Sequence, residues 1–440
     1  MAIGTFKGGV HPPTSKGLTK NKAIEIAPIP DTVVLPMLQH IGAPCEPIVK
    51  VKEEVKKGQK IGESEAFVSA PIYSSVSGVV KAIEPRPHPS GGKVLSVVIE
   101  SDGQDEIYDG IKAFSSIESL SPEEIKNIIR ESGIVGMGGA GFPTQVKLSP
   151  PPEKKIDILI INGAECEPYL TADYRIMLEA VDSIIYGIKA VKKALGVEKV
   201  YVGIEDNKPE AYEIFRDKLK GNDDIEAISL ETKYPQGGEK QLIYSVTRRE
   251  VPSGGLPMDV GVVVQNVGTI LAVANAIKTG IPLISRVVTV TGEGVKEPKN
   301  LLARIGTPFN ELIDYCGGFS GKPGKVIMGG PMMGLAQKDL DVPVVKGTSG
   351  ILVLKEEESA YFEEGPCIKC ARCVDMCPIN LLPTRISNFS KLGLWDEAEE
   401  YGALDCIECG CCSYICPAKI PLAQRIRMAK NEIMARRKKN

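Results

Sequence analysis

The sequence predicts a multidomain α/β protein. At 440 residues the chain is longer than one hydrophobic core usually serves, so three or four domains are expected. Its middle part alternates buried strands with amphipathic helices, which predicts a Rossmann-like domain on a parallel sheet. Short strands between glycine turns come before and after that part and predict two smaller β-rich domains. Two cysteine-rich runs near the C-terminus predict a separate metal-binding unit.

Charge and hydropathy exclude several classes of protein. The formal net charge is only −3, so the molecule as a whole is not built to bind nucleic acid. The first residues contain no apolar signal core, and no run of 18 apolar residues occurs. We therefore expect a protein that is neither secreted nor membrane-spanning, whose clustered cysteines hold metal rather than form disulfides.

The N-terminal part reads as a scaffold. Residues 1–30 are predicted to be irregular, and His11, which lies among glycine and proline residues, is predicted to be structural. Residues 31–105 read as short strands separated by glycine turns. The pattern of residues 66–80 resembles the strand–turn–strand of a lipoyl or biotinyl carrier sandwich, but no lysine stands at the turn. A small β scaffold is therefore predicted there, rather than a carrier of a prosthetic group.

A glycine-rich loop follows the first predicted helix, which a capping serine and a proline start at residues 121–122. Gly136, Gly138 and Gly141 match G-x-G-x-x-G, although a helix and not a strand precedes them. Glycines let backbone N–H groups approach a phosphate or a flat ring, and Pro143 opens a helix whose free N–H groups point at the loop. We predict an anion site, to which Lys147 adds a point charge. A flexible loop without a ligand is the alternative.

Strands and helices then alternate as βαβαβ. Strands are predicted at 156–162, 200–204 and 227–230, and helices at about 171–195 and 208–220. Ligands of such a sheet bind beyond the carboxyl ends of its strands, and polar clusters stand there. They contain Asn162, Glu165 and Glu167 after the first strand, Gly238 and Glu239 after the third, and Asn266 and Thr269 after a strand at 262–264. Acidic groups at such ends suit the hydroxyls of a ribose or ribityl chain, and solvated turns are the alternative.

The next segment, 286–345, reads as a small β-rich module in which we predict no chemistry, and Glu356–Glu358 marks a linker. Beyond it the pattern C-x2-C-x2-C-x3-C-P occurs twice, which is the thiolate spacing of a two-cluster [4Fe–4S] ferredoxin. Zinc also accepts four thiolates, but its structural sites usually pair two C-x2-C units across a longer gap. The fourth cysteine of each run should ligate the other cluster. The predicted sets are Cys367, Cys370, Cys373 and Cys416 for one cluster and Cys377, Cys406, Cys409 and Cys412 for the other.

Four cysteines remain and are predicted to be plain thiols: Cys45, Cys166, Cys316 and Cys411. The spacer between the cysteine runs, with Trp395, reads as helical, so an α-helical ferredoxin unit is predicted. Residues 424–439 should form a helix with a basic end, which could meet anionic lipid or an acidic partner. A frayed, solvated helix end is equally compatible with that pattern.

Several motifs together resemble known families. Gly136-x-Gly-Gly-Ala-Gly-Phe-Pro-Thr-x-x-Lys147, with Asn162-x-x-Glu-x-Glu-Pro168, is similar to the flavin-binding subunit of respiratory complex I. With the N-terminal Gly-Gly-Val-His-Pro-Pro, the sandwich, the β-rich module and the twin cysteine runs, nearly the whole chain resembles RnfC, a component of the Rnf complex. This chain departs from complex I by having Lys240 in place of a second glutamate and Tyr169 in place of a glycine.

The resemblance implies bound FMN and NADH in addition to the clusters. The residues implied to face FMN are Gly136, Gly138, Gly139, Lys147, Asn162, Glu165 and Glu167. Glu167 is also implied to lie near the nicotinamide ribose, and Phe142 to stack on adenine. Later flavin-contacting motifs are implied to contain Gly238, Glu239, Asn266 and Thr269. It also implies the division into an N-terminal segment (1–30), a barrel-sandwich hybrid (31–115), a Rossmann-like FMN/NADH domain (116–285), a β-grasp SLBB domain (286–350) and a two-cluster α-helical ferredoxin domain (351–440).

The function implied is NADH oxidation, or NAD⁺ reduction, within a membrane-bound ion-translocating ferredoxin:NAD⁺ oxidoreductase. No acid–base side chain is required for hydride transfer, so no catalytic residue is predicted. The expected partners are the integral membrane subunits and a ferredoxin-like subunit, with peripheral attachment to the cytoplasmic face of the cell membrane. Two alternatives remain at this point, namely a cobalamin reductase of propanediol-utilisation microcompartments and a non-catalytic electron-relay scaffold.

Overall fold

The computed structural model describes residues 4–114, 116–139, 141–359 and 362–437. It confirms a multidomain α/β protein. Two antiparallel sheets form the N-terminal part, in the orders β2-β8-β7-β4 and β3-β5-β6. Their strands are β2 (Thr32–Pro36), β3 (Glu46–Pro47), β4 (Glu54–Val55), β5 (Lys60–Glu63), β6 (Ile72–Tyr73), β7 (Gly78–Pro87) and β8 (Lys93–Ser101), preceded by β1 (Ile24–Ile26). Inward-facing Val33, Val97 and Ile99 are fully buried in their core.

The Rossmann-like part is built on a parallel sheet in the order β11-β10-β9-β12. Its elements are α1 (Pro122–Glu131), α2 (Thr144–Lys147), β9 (Ile158–Gly163), α3 (Ala172–Glu179), α4 (Val181–Leu195), β10 (Lys199–Glu205), α5 (Pro209–Lys218), β11 (Ile225–Leu230), α6 (Glu239–Thr247), β12 (Val262–Asn266) and α7 (Val267–Thr279). Ser121 caps α1 through a reciprocal capping box with Glu124, as its sequence predicts.

The prediction of one helix over 171–195 is wrong, because the structure has two. Ala180 leaves the helical conformation between α3 and α4, with φ −130° and ψ 25°. At this break the Glu179 carboxylate accepts the N–H of Ile24, 3.1 Å away. That contact joins residues 155 positions apart, so local periodicity carries no trace of it.

A sheet of six strands follows, in the order β1-β14-β13-β17-β15-β16. Its elements are β13 (Ser285–Thr291), β14 (Lys299–Arg304), α8 (Phe309–Tyr315), β15 (Pro323–Met328), β16 (Leu335–Gln337) and β17 (Gly350–Lys355). The sheet extends beyond the predicted bounds of 286–350, since β13 begins one residue earlier and two further strands lie wholly or mostly outside them. β1 comes from the N-terminal segment and pairs in parallel with β14, and β17 continues past residue 350 to pair with β13 and β15.

The C-terminal unit is helical. It contains α9 (Arg372–Asp375), α10 (Pro383–Leu392), α11 (Trp395–Glu400), α12 (Cys411–Ile415) and α13 (Leu422–Arg437), and Ile386, Ala398 and Ile426 form its buried centre. The predicted helical spacer and tail are thus present, and Lys438 and Lys439 of the basic end lie outside the described residues. None of the helices described is long and apolar enough to cross a membrane.

Candidate functional site

The predicted polar clusters meet at the carboxyl ends of β9 and β12. These strands are neighbours, and Asn162 of β9 lies directly opposite Asn266 of β12. The Asn162 side chain donates to the carbonyl of Gly237 (2.8 Å), which ties the β9 end to the loop before α6. Asn266 caps α7, since its Oδ1 accepts the N–H groups of Gly268 and Thr269. The strand ends therefore gather three of the predicted segments at one edge of the sheet.

The glycine loop closes over the same edge. The N–H of Gly136 donates to the carbonyl of Phe142 (2.8 Å), and the N–H of Met137 donates to Thr269 Oγ1 (2.9 Å). A Cβ built on Gly138 would stand 2.7 Å from Asn266 Nδ2, whereas one built on exposed Gly139 meets no atom within 4 Å. The loop thus presents open backbone to solvent above the strand ends. Such an open, side-chain-free surface fits a flat ring or a phosphate.

Lys147 and Glu239 connect the helices on the two sides of the site. Lys147 Nζ lies 2.6 Å from Glu239 Oε1 and 2.9 Å from the carbonyl of Val264 on β12. Gly238 is the residue that precedes α6, so Glu239 occupies its first turn. Both side chains of the pair remain partly exposed, at 26% and 40%. The structure therefore brings the predicted Lys147, Gly238 and Glu239 together, although Lys147 and Glu239 are 92 residues apart in sequence.

Glu165 has an internal role. Its carboxylate accepts the N–H groups of Asp173 (2.7 Å) and Tyr174 (3.2 Å) and so caps the start of α3. Asp173 in turn accepts from Asn266 Nδ2 (2.6 Å). Burial, and then the neighbouring Glu165 carboxylate, raise the pKa of Asp173 to about 7. Sequence reasoning missed Asp173, which links Glu165 to the capping asparagine of α7.

Glu167 reaches into the six-stranded module. Its carboxylate accepts the N–H groups of Met332 (3.2 Å) and Met333 (2.8 Å), and burial raises its pKa. The sequence predicts no chemistry in residues 286–345, but they hold this predicted cofactor residue. Arg286 of the same module, buried with its pKa lowered to about 10 by burial, points its guanidinium at the carbonyl of Met137 (3.4 Å) in the glycine loop.

The N-terminal segment supplies another residue that the sequence does not single out. Buried Lys16 donates to the carbonyls of Glu165 and Glu167, both at 2.9 Å, and to that of Leu170. Its Nζ also lies 3.8 Å from Glu165 Oε2. Lys16 therefore fixes the loop after β9 from outside the sheet. A lone lysine in an irregular segment has no pattern by which this role could be found.

The second predicted cysteine set surrounds a cavity. Cys377, Cys406, Cys409 and Cys412 all line a cavity that is partly open to solvent, and the predicted plain thiol Cys411 lines it too. No three His, Cys, Asp or Glu side chains in the described ranges converge closely enough to hold one ion. Thiolates are the donors that iron–sulfur clusters take, and the four cysteines at this cavity are the ones that the repeated pattern predicts for one cluster.

The remaining predicted ligands belong to the same helical unit. Cys373 and Cys416 pack beside Cys412 and Leu422, and Cys367 and Cys370 are exposed. The predicted plain thiols Cys45, Cys316 and Cys411 are buried, and Cys166 is half-buried. Phe142 is half-buried, and its carbonyl accepts the N–H of Gly136 in the glycine loop.

Four family models match successive parts of the chain. They are described as the RnfC barrel sandwich hybrid domain (residues 4–104), the Nuo51 FMN-binding domain (129–275), the SLBB domain (287–336) and the 4Fe-4S dicluster domain (366–420). The match at 129–275 contains the glycine loop and all the strand ends described above. The match at 366–420 contains both cysteine runs.

The chain is also similar over its whole length to named proteins, each of which is the C component of an oxidoreductase complex. It is 56% identical over 429 residues to that of the proton-translocating ferredoxin:NAD(+) oxidoreductase complex of Clostridium ljungdahlii, covering 97% of this chain and 94% of that one. It is 52% identical to that of the Na(+)-translocating ferredoxin:NAD(+) oxidoreductase complex of Acetobacterium woodii, covering 99% and 98%. It is 44% identical to that of the ion-translocating oxidoreductase complex of Rhodobacter capsulatus, covering 98% and 84%.

One solved structure has a related fold. A chain of an NAD+-reducing [NiFe]-hydrogenase in the air-oxidized state superposes with a TM-score of 0.50 at 19% identity. The match covers 66% of this chain and 54% of the hydrogenase chain, so this chain spans about half of that neighbour. The likeness concerns the fold.

Proposed function

The chain belongs to the RnfC family of ion-translocating ferredoxin:NAD⁺ oxidoreductase components, and on that premise we propose that it exchanges electrons between NADH and the other subunits of such a complex. The observation that supports this most directly is the convergence at the ends of β9 and β12. There the open Gly139 backbone, the Asn162 and Asn266 side chains and the Lys147–Glu239 pair face one region. The thiol-lined cavity lies in the adjoining helical unit.

When bound, FMN takes a hydride from NADH and gives up the two electrons one at a time. The residues of this chain bind and orient. The glycine backbone offers N–H groups without side chains in the way, and Lys147 supplies positive charge beside Glu239. Glu165 and Glu167 hold the loop after β9 in shape through backbone N–H groups. Rigid support of this kind places a reactive ring against its substrate.

We propose the following residue assignments. The flavin and nucleotide residues are Gly136, Gly138, Gly139, Phe142, Lys147, Asn162, Glu165, Glu167, Gly238, Glu239, Asn266 and Thr269. The cluster ligands are Cys367, Cys370, Cys373 and Cys416 for one [4Fe–4S] cluster and Cys377, Cys406, Cys409 and Cys412 for the other. The domain types are a barrel-sandwich hybrid, a Rossmann-like FMN/NADH domain, a β-grasp SLBB domain that includes β1 and β17, and an α-helical ferredoxin.

Within the complex, the protein works by contact with other subunits. We propose that it attaches to integral membrane subunits and a ferredoxin-like subunit at the cytoplasmic face of the membrane, as a component of a translocase. Relatives carry names that specify either protons or Na⁺. We assign the ion path to the membrane subunits, because none of this chain's described helices could span a bilayer.

The test is anaerobic purification and reconstitution of the full-length chain with iron, sulfide and FMN. We expect about eight iron atoms per chain, retained FMN, and bleaching of both flavin and cluster absorbance by NADH. FMN should raise the melting temperature more than riboflavin, since riboflavin lacks the phosphate that the N–H groups would bind. Protein that retains no FMN, or that NADH does not bleach, would refute the proposal. Preferential reduction of added cobalamin would favour the corrinoid alternative.

A further inference from the structure

The loops that carry the proposed flavin residues also contact one cysteine run and its cavity. Tyr234, in the loop between β11 and α6, is 1% exposed, and its hydroxyl donates to the carbonyl of Cys409 (2.8 Å). The Tyr234 carbonyl faces the thiol of Cys411 at 3.8 Å. Val10 of the N-terminal segment fixes Tyr234 through two backbone hydrogen bonds. Cys166, beside Glu167, packs against the same buried group.

Two more contacts join the same regions. Gln241 of α6 donates from Nε2 to the carbonyl of Pro378 (3.2 Å), next to Cys377. A Cβ built on Gly410 would stand 2.9 Å from the carbonyl of Met332, the residue whose N–H binds Glu167. The cavity lined by Cys377, Cys406, Cys409 and Cys412, here called the inner cavity, therefore adjoins the loops that hold Glu167 and Glu239.

The other four predicted ligands, Cys367, Cys370, Cys373 and Cys416, are here called the outer set. Cys367 and Cys370 are exposed, as is most of the segment 362–372. This segment is held within the C-terminal unit, since Gly365 donates to the carbonyl of Ala418 (2.9 Å) and Glu364 pairs with Arg425. Cys367 and Cys370 thus lie on a free surface of the chain, whereas Cys373 and Cys416 are buried in the C-terminal unit.

We propose that the cluster bound in the inner cavity, the inner cluster, is the first electron acceptor from the flavin site. The cluster bound by the outer set, the outer cluster, is the exit to the partner subunit. Tyr234 is the positioning residue that holds the inner cluster against the flavin domain. This rests on the proposed function. Oxidation of one NADH to NAD⁺ would release two electrons and one proton, and the proton would go to solvent. Each electron would pass from the flavin site to the inner cluster and then to the outer cluster, and the partner subunit would take it before the next one arrives.

Tyr234 has an electrostatic role as well as a structural one. Its O–H donates to the backbone carbonyl of Cys409, a residue that lines the inner cavity. By offsetting the negative charge on that carbonyl oxygen, the hydroxyl favours the added negative charge of a reduced cluster and raises its reduction potential. Tyr234→Phe removes that hydroxyl while keeping the ring in its buried place. The potential of the inner cluster should then fall while that of the outer cluster stays the same.

The first experiment compares two full-length variants, each lacking one ligand. Cys406→Ala should leave the outer cluster, and Cys370→Ala should leave the inner one. After anaerobic mixing with NADH, rapid-freeze EPR measures how fast the remaining cluster is reduced. We expect reduction at least about tenfold faster in Cys370→Ala than in Cys406→Ala. Equal rates, or the opposite order, would overturn the assignment of the first acceptor.

The second experiment keeps both clusters and so covers the case in which the cysteine variants do not fold. EPR-monitored redox titration with dithionite compares Tyr234→Phe with the wild type and with Tyr244→Phe, a partly exposed tyrosine on α6. We expect the reduction potential of one cluster only to fall by about 30 mV, which corresponds to about a threefold change in its one-electron equilibrium constant. No shift in Tyr234→Phe, an equal shift of both clusters, or the same shift in Tyr244→Phe would contradict the role of Tyr234.

The titration needs neither NADH nor FMN. If the wild type fails to oxidise NADH, the proposed function fails, and the titration still decides whether Tyr234 tunes one cluster. A different result is that the wild type oxidises NADH while the remaining cluster is reduced faster in Cys406→Ala than in Cys370→Ala. That result would support the proposed function and refute the proposed order of electron transfer.

Discussion

Gly138 packs so closely against Asn266 that a Cβ on Gly138 would lie 2.7 Å from Nδ2 and 2.9 Å from Cγ of the asparagine. Asn266 cannot give way freely, because it caps α7 and donates to Asp173. The adjacent Gly139 has open space around its Cα. Two neighbouring glycines of one loop therefore serve different purposes, one for packing and one for access.

Alanine at these two positions should separate the purposes. Gly138→Ala should destabilise the protein by about 1–3 kcal/mol, because the cap of α7 must shift. Gly139→Ala should leave the melting temperature of the FMN-free protein unchanged but weaken FMN binding, because the methyl group fills the open backbone surface. Thermal unfolding and FMN fluorescence titration measure both effects. Equal effects of the two variants on FMN-free stability would contradict this division.

Removal of the Lys147 charge should weaken flavin binding. Lys147→Ala loses a charged donor worth about 1.5–3 kcal/mol, so FMN affinity should fall at least about tenfold. Lys154→Ala is the matched control, since Lys154 pairs with Asp259 at 2.7 Å in the same part of the chain. Fluorescence titration of both variants is the measurement. Similar FMN affinities in the two would show that Lys147 is only structural.

The buried Lys16 should be important for stability. Lys16→Met keeps the apolar stem but removes the donor of three backbone carbonyls and the positive charge beside the Glu165 carboxylate. We expect a loss of about 3–5 kcal/mol in the free energy of urea unfolding. The control is Lys20→Met, at an exposed position in the same segment. A loss below about 1 kcal/mol would mean that the N-terminal segment does not support the loop after β9.

Asp173 should make stability depend on pH. Its folded pKa of about 7 lies above the unfolded value near 3.9, so the folded protein holds this proton more tightly. Stability contributed by the protonated form is therefore lost as pH rises from about 4 to about 7, and it is constant above that. The Asp173→Asn variant has no such loss of stability with rising pH, and its side-chain amide oxygen can still accept a hydrogen bond from Asn266 Nδ2.

We compare the free energies of unfolding of Asp173→Asn and of the wild type. The variant should gain on the order of 2 kcal/mol relative to the wild type between about pH 5 and 7. Urea unfolding at intervals of about one pH unit from 5 to 8 measures it. Asp182→Asn, exposed on α4, is the control and should run parallel to the wild type. A constant difference for Asp173→Asn across this range would contradict the prediction.

Local patterns predict much of the architecture. The capping serine at Ser121, the parallel strands, the polar strand ends and the twin cysteine runs are short-range features, and the structure contains each of them. The parallel sheet brings Asn162 and Asn266 opposite each other because carboxyl ends of parallel strands share one edge. The residue assignments for flavin and clusters remain predictions that the experiments above address.

Local patterns do not predict the contacts between residues that are far apart in the sequence. Lys16 meets Glu165 across 149 residues, and Met333 meets Glu167 across 166. These contacts use backbone carbonyls and N–H groups, which every residue except proline possesses, so composition and periodicity do not mark them. Arg286 likewise meets a backbone carbonyl, that of Met137, and its place in a strand pattern does not indicate this partner.

The pairing of β1 with β14 has a consequence for biosynthesis. Ile24 is paired in register with Asn300, and Gly9 donates to the carbonyl of Met376. At about 5–20 residues per second, a ribosome adds Asn300 on the order of 15–55 s after Ile24. During that time the N-terminal segment cannot pair with β14 or with the helical unit. The loop after β9 therefore receives its final support only when the six-stranded sheet and the helical unit have been synthesised. Completion of the proposed flavin site is thereby delayed until the proposed electron exit has been synthesised.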